Sequence, residues 1–179
     1  MYNESMSKAK ISLVYIDEEY TDFLRTVDKR VPYNINRTYQ RPFTGILFKV
    51  QNMEYFAPLT TSSKGKKLMQ NPKQESITFL PIENCKFGGV NFNNMIPVVA
   101  GVYTYINLTI APNDDEKARR EKIKYMRILR FLRKNHDKII VKAKKIYNLQ
   151  RSGELYENYM KVTCDFALLE KQCMLWLSV

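Results

Sequence analysis

The apolar residues of this chain change their period once. As far as Leu108 they fall in short runs of β-branched and aromatic side chains broken by turn residues, whereas beyond Pro112 they recur every three or four positions. Period two marks strands and period 3.6 marks amphipathic helices. The expected architecture is therefore α+β: a small antiparallel sheet with packed helices and a helical C-terminal third. Residues 1–10 lack an apolar stretch and read as a flexible tail, leaving 11–179 as a single domain.

Ile11–Ile16 is a β-rich run, and Asp17 is placed to cap a helix whose apolar positions are Tyr20, Phe23, Leu24 and Val27. Val31 to Pro42, with its prolines and asparagines, is expected to be a long functional loop. Phe43–Val50 and Glu54–Thr60 flank Gln51-Asn52-Met53 as a hairpin. Thr61 to Lys73 is polar and basic, hence an exposed loop. Ser76–Ile82 and Met95–Leu108 add strands, with Gly88-Gly89 between them. Asp114-Asp115-Glu116 opens a helix carrying the stripe Tyr125, Ile128, Leu129 and Leu132. Helices follow over roughly 136–150, 154–161 and 165–177.

Charge then separates one part of the chain from the rest. The 29 residues from Lys117 to Lys145 contain thirteen lysines and arginines against Glu121 and Asp137. That balance of +11 equals the net charge of the whole protein. Both polar flanks of the first long helix are cationic: Arg120, Lys124, Arg127 and Lys134 on one, Arg119, Lys122, Arg130 and Arg133 on the other. Positive charge gathered on a helix points to a polyanion, and nucleic acid is the commonest one. Composition alone favours a non-catalytic RNA- or DNA-binding regulator over an enzyme.

Absent residues narrow the chemistry. A single histidine, His136, excludes paired-imidazole catalysis and multi-histidine metal sites, and its place in KNHDK suits a cap or surface role. Cys85, Cys164 and Cys173 are too few for a disulfide frame or a zinc site, so a reducing cytoplasm is expected. No run approaches the ~20 apolar residues of a membrane span. The acidic triplets at 17–19 and 114–116 are accounted for as helix starts rather than as a metal site. No metal or other cofactor is expected.

Four ordered motifs carry a resemblance. The run TYQRPFTGI (Thr38–Ile46), the strand ending YFAPLTT (Tyr55–Thr61), MIPVV (Met95–Val99) and TCDFALLE (Thr163–Glu170) together resemble the endoribonuclease toxins of type III toxin–antitoxin systems, the ToxN/AbiQ family. The likeness runs from about Ile11 to Glu170. It implies a compact, twisted MazF/Kid-like sheet and metal-independent, sequence-selective RNA cleavage that leaves 2′,3′-cyclic phosphate and 5′-hydroxyl ends. It also implies cellular or phage RNA as substrate. The inhibitor would be a small RNA of repeated pseudoknots, with higher-order assembly on that antitoxin, and the setting abortive infection and phage resistance.

By that resemblance the catalytic set is Tyr39, Thr60, Thr61, Ser62 and Lys64. Here TTSSKGKK replaces a shorter serine–proline–lysine stretch, so Lys64, Lys66 and Lys67 are all candidates for the active lysine. No lysine follows Pro42, and Arg41 is the nearest cation. RNA supplies its own 2′-hydroxyl nucleophile, so an enzyme must hold the strand in line, remove a proton and stabilise the pentacoordinate charge. Lys64 is assigned to the phosphorane or the leaving 5′-oxygen, and Thr60 with Thr61 or Ser62 to the non-bridging oxygens. Tyr39 is assigned to base stacking, since a phenol of pKa ~10 is a poor base at neutral pH. Arg37, Arg41, Lys66, Lys67, Arg119, Arg120, Lys124, Arg127, Arg130, Arg133 and Lys134 are the expected RNA contacts.

Overall fold

A computed structural model describes residues 10–33, 35–36, 39–69 and 76–178, with backbone alone at 35–36, 39 and 68–69. Its central strand is β6 (Met53–Thr60), buried at every position except the half-buried Glu54. Such a continuous apolar strand is covered on both faces. Along one edge β6 pairs with β4 (Pro42–Gly45) and β5 (Lys49–Val50), and along the other with β8 (Gly89–Asn91) and β9 (Ile96–Val98). Beyond β4 come β1 (Ser12–Ile16) and β10 (Tyr103–Tyr105), and beyond β8 comes β7 (Phe79–Pro81). All pairings are antiparallel, and these eight strands form one open sheet.

Two strands expected to be continuous are broken. Phe43–Val50 divides into β4 and β5 around Ile46–Phe48, with Gly45 lying so close to the Phe56 ring that a Cβ there would collide with it. Met95–Leu108 divides at Gly101, whose φ of +93° turns the chain between β9 and β10. The hairpin expected at Gln51 closes as a two-residue turn, because Val50 already pairs with Met53. Within the loop expected at 31–42, β2 (Ile35–Asn36) and β3 (Tyr39–Gln40) pair apart from the main sheet.

Of the loop expected from Thr61 to Lys73, residues 62–69 are helical instead, and residues 70–73 lie outside the described residues. Ser62–Met69 forms helix α2, after α1 (Glu18–Arg25). Thr61 starts the helix: its carbonyl accepts the Gly65 amide at 2.9 Å, and its Oγ1 accepts the Lys64 amide at 3.4 Å. Asp17, expected to cap α1, makes no side-chain cap hydrogen bond.

The helical C-terminal third is as expected in kind. Helix α3 (Glu116–Lys134) is capped by Asp115, whose carboxylate accepts the Ala118 amide at 2.7 Å. It buries Tyr125, Ile128 and Leu132. Helix α4 (His136–Ser152) ends on Gly153 in the left-handed region, φ +76°. The segment after it is helical only over α5 (Glu157–Met160), followed by α6 (Phe166–Trp176), capped by Asp165. Beneath α4 and α6, Tyr55 and Tyr147 both donate to Glu170 Oε1 at 2.7 Å, with Phe48 and Phe166 packed around them. No helix among the described residues is long and apolar enough to cross a membrane.

Candidate active site

The end of β6 that leaves this packed region opens into a trough of about 530 Å³. Its walls come from four places far apart in sequence. Antiparallel register, with Phe43 opposite Pro58, carries Arg41 beside Thr60 where β4 begins and β6 ends. Thr61 and Ser62 continue the wall into the first turn of α2. Lys86 and Phe87 come from the β7–β8 connection, and Lys117, Arg120, Glu121 and Lys124 from α3. At about 100° per residue, Lys117, Arg120, Glu121 and Lys124 lie on one helical face, and Tyr125 and Ile128 continue that face toward the core.

Backbone geometry holds the hydroxyl wall. Gly88, at φ +77°, approaches the Thr60 carbonyl so closely that a Cβ would overlap it, so no side chain fits there. Before it, Glu83, Asn84 and Cys85 all have positive φ (45°, 51° and 65°). Left-handed backbone is costly for residues with a Cβ. This turn presents the Cys85 carbonyl to Ser62 Oγ at 2.7 Å and directs Lys86 and Phe87 into the trough. Gly65 of α2 packs on Cys85 and Gly88. Arg127 ties the same turn to α3, donating to Glu83 at 3.2 Å with its guanidinium 5.0 Å from the Phe87 ring centre.

The hydroxyls differ in what they can still do. Thr60 is buried and its Oγ1 donates to the Gly89 carbonyl at 3.3 Å. Thr61 is exposed to the trough, and its Oγ1 lies 3.2 Å from Ser63 Oγ. Around them stand five cations, Arg41, Lys86, Lys117, Arg120 and Lys124, against one carboxylate, Glu121, which accepts from the Tyr125 phenol at 3.2 Å. Burial raises the Tyr125 phenol above its ordinary value, so it stays protonated and donates at neutral pH. A cationic trough floored by apolar side chains suits an anionic strand, and donors already fixed in place can stabilise charge without reorganising.

Of the residues expected to act, Arg41, Thr60, Thr61, Ser62, Arg120 and Lys124 come together here, with Arg127 at the rim. Lys64, Lys66 and Lys67 are exposed on α2 and do not line the trough. Arg119 and Arg130 are exposed on the part of α3 turned away from it. Arg133 donates to the Ile11 carbonyl at 3.1 Å, and with Lys134 and His136 it borders a second cavity at the far end of α3. His136 pairs with Asp137 at 2.9 Å. Tyr39 lies in β3 with its backbone alone described, and Arg37 lies outside the described residues. Lys86, Phe87, Lys117 and Glu121 are trough residues that motif reading missed. A cation and an aromatic ring directly before Gly88-Gly89 were the available signal.

The family model described as "Toxin ToxN, type III toxin-antitoxin system" matches residues 12–174. Endoribonuclease ToxN of Pectobacterium atrosepticum is 33% identical over 88% of this chain and 88% of its own length. Endoribonuclease ToxN of Bacillus thuringiensis subsp. kurstaki is 31% identical over 88% and 80%. Endoribonuclease AbiQ of Lactococcus lactis subsp. lactis is 26% identical over 90% and 86%. Among solved structures, one described as "selective toxin inhibition by a non-coding RNA pseudoknot" superposes with a TM-score of 0.74 at 26% identity, covering 95% of this chain and 99% of the other. That of AbiQ, "a lactococcal anti-phage endoribonuclease", shares the fold with a TM-score of 0.78 at 23% identity over 95% and 99%. The chain belongs to the ToxN family of type III toxin–antitoxin toxins.

Proposed function

We propose that this protein is a sequence-selective endoribonuclease toxin that cleaves RNA in the trough between α2 and α3 without a metal ion. One observation carries the reading: a single cavity unites the strand-end hydroxyls with the cations of the basic helix. An RNA strand laid along Lys117, Arg120 and Lys124 would bring a phosphodiester against Thr61 and Ser62. Attack by the adjacent 2′-hydroxyl on phosphorus breaks the bond to the 5′-oxygen, giving a 2′,3′-cyclic phosphate and a 5′-hydroxyl. Thr61 Oγ1 and the first amides of α2 would hold the non-bridging oxygens, and Thr60 and Gly88 would keep that turn in place. Lys86 or Arg41 would offset the phosphorane charge, with Lys64, Lys66 or Lys67 reaching in from the rim. Such preorganised donors contribute about 10²–10³-fold each in comparable sites.

The same cationic walls fit a folded RNA inhibitor, and inhibition by a non-coding RNA pseudoknot described for a structural neighbour supports a pseudoknot antitoxin here. Abortive infection in the cytoplasm, by cleavage of cellular or phage RNA, follows from that reading, with residues 11–179 as the toxin domain. The test is purified protein with total RNA in excess chelator. Discrete fragments ending in cyclic phosphate and 5′-hydroxyl are expected. Intact RNA bound tightly would instead identify a non-catalytic regulator.

A further inference from the structure

We propose that Tyr33, stacked on a buried arginine at the mouth of the trough, is a platform for one unpaired base of the bound RNA. This rests on the endoribonuclease reading and adds a positioning residue to it. Arg25, at the C-terminal end of α1, is 9% exposed, and its Nε and Nη1 are buried with no hydrogen-bond partner. Nη1 forms a long ion pair with the Asp22 carboxylate, 3.7 Å away and beyond hydrogen-bond reach. The guanidinium carbon lies 3.0 Å from the centre of the Tyr33 ring. Cation and ring therefore stack face to face.

Tyr33 nevertheless remains 68% exposed. One face of its ring covers the cation, and the ring remains mostly open to solvent. Folding the core accounts for neither the exposed ring nor, beneath it, the two buried guanidinium nitrogens without a hydrogen bond. Arg41 fixes the pair to the trough: Nε donates to the Tyr33 carbonyl at 2.9 Å and Nη1 to the Leu59 carbonyl at 3.2 Å, and Arg41 and Leu59 both line the cavity. Tyr33 is thus joined through its carbonyl to a residue of the trough wall, next to the path of a strand that passes Arg41. A base stacks on any aromatic face whatever its identity, and a ring already held in place loses little freedom on binding. The underlying cation draws electron density from the ring, which favours an electron-rich base on the other side.

A two-by-two binding comparison tests this. Wild type and Tyr33→Leu are titrated with a short, random-sequence 2′-O-methyl RNA and with an abasic 2′-O-methyl chain of equal length. Leucine still covers Arg25 but offers no π face. The expected result is that Tyr33→Leu weakens binding of the base-bearing RNA about tenfold, in keeping with base–aromatic stacking, and leaves the abasic chain unchanged. Tyr33→Phe should match wild type on both. Equal affinities of wild type and Tyr33→Leu for the base-bearing RNA would overturn the proposal. So would equal losses on both chains. Because neither probe can be cleaved, failure of the wild type to cut ribose RNA counts against the endoribonuclease reading and leaves this comparison intact.

Discussion

The two ends of β6 do opposite things with the same kind of strand. Around Tyr55 the strand is sealed beneath α4 and α6, and the phenol is partnered: Tyr55 and Tyr147 share Glu170, which also faces Arg151 at 3.7 Å. Six residues on, at Thr61, the covering helices have ended and the walls become hydroxyls and cations. The sealed end can stabilise the fold but has no opening to a ligand. The open end gathers an excess of cations over carboxylates, which suits a polyanion. Stability and chemistry should therefore be separable by substitution along a single strand.

The largest expected effect lies at the sealed end. Phe166, fully buried between Tyr55 and Tyr147, should cost about 3–5 kcal/mol when changed to alanine. Chemical denaturation measures this, and cleavage per folded molecule should persist. Gly88→Ala would instead act at the open end, since its Cβ collides with the Thr60 carbonyl and its φ is positive. Cleavage should fall by about 10²-fold or more as the hydroxyl wall shifts, and loss of stability without loss of turnover would break the comparison.

Asp28 sharpens it from the packed side. Burial alone would push its carboxyl up, but the Arg30 guanidinium and the amides of Asp165 and Arg30 outweigh this and hold it below the ordinary value. A carboxyl depressed in the folded state stabilises at pH above its unfolded pKa and loses that contribution as pH falls. Stability should thus decline below about pH 4. Asp28→Asn should cost about 2 kcal/mol at neutral pH and flatten that decline in a pH series of denaturant midpoints. Smallest is Tyr147→Phe, which removes one of two phenols on Glu170 and should cost about 1 kcal/mol with turnover unchanged.

Helix α3 was legible from its own residues: acidic start, apolar stripe and cationic flanks are local signals, and Asp115 of the acidic triplet caps it. Local signals cannot say which cationic flank faces a ligand. That is decided by what α3 packs against, so Arg120 and Lys124 look onto Thr61 while Arg119 and Arg130 look onto solvent. Helix α2 was illegible because SSKGKK contains weak helix formers; it is held by Ser62 on the Cys85 carbonyl and by Gly65 against Gly88, contacts made across more than twenty residues. Lys86 and Phe87 escaped for a related reason. Three non-glycine residues in the left-handed region aim them, a conformation that composition does not announce.

The central claim is that one flank of α3 works and the other does not. It is tested most directly by comparing kcat/KM on a single RNA substrate, in chelator, for Arg120→Ala/Lys124→Ala and for Arg119→Ala/Arg130→Ala. Both doubles remove the same charge from the same helix. The trough-facing pair should lose about a hundredfold or more, and its salt dependence should flatten by about 1.4 log–log units at ~0.7 per single-strand phosphate contact, while the outward pair stays within about threefold of wild type. Equal losses in the two doubles, or a greater loss in the outward pair, would contradict the account.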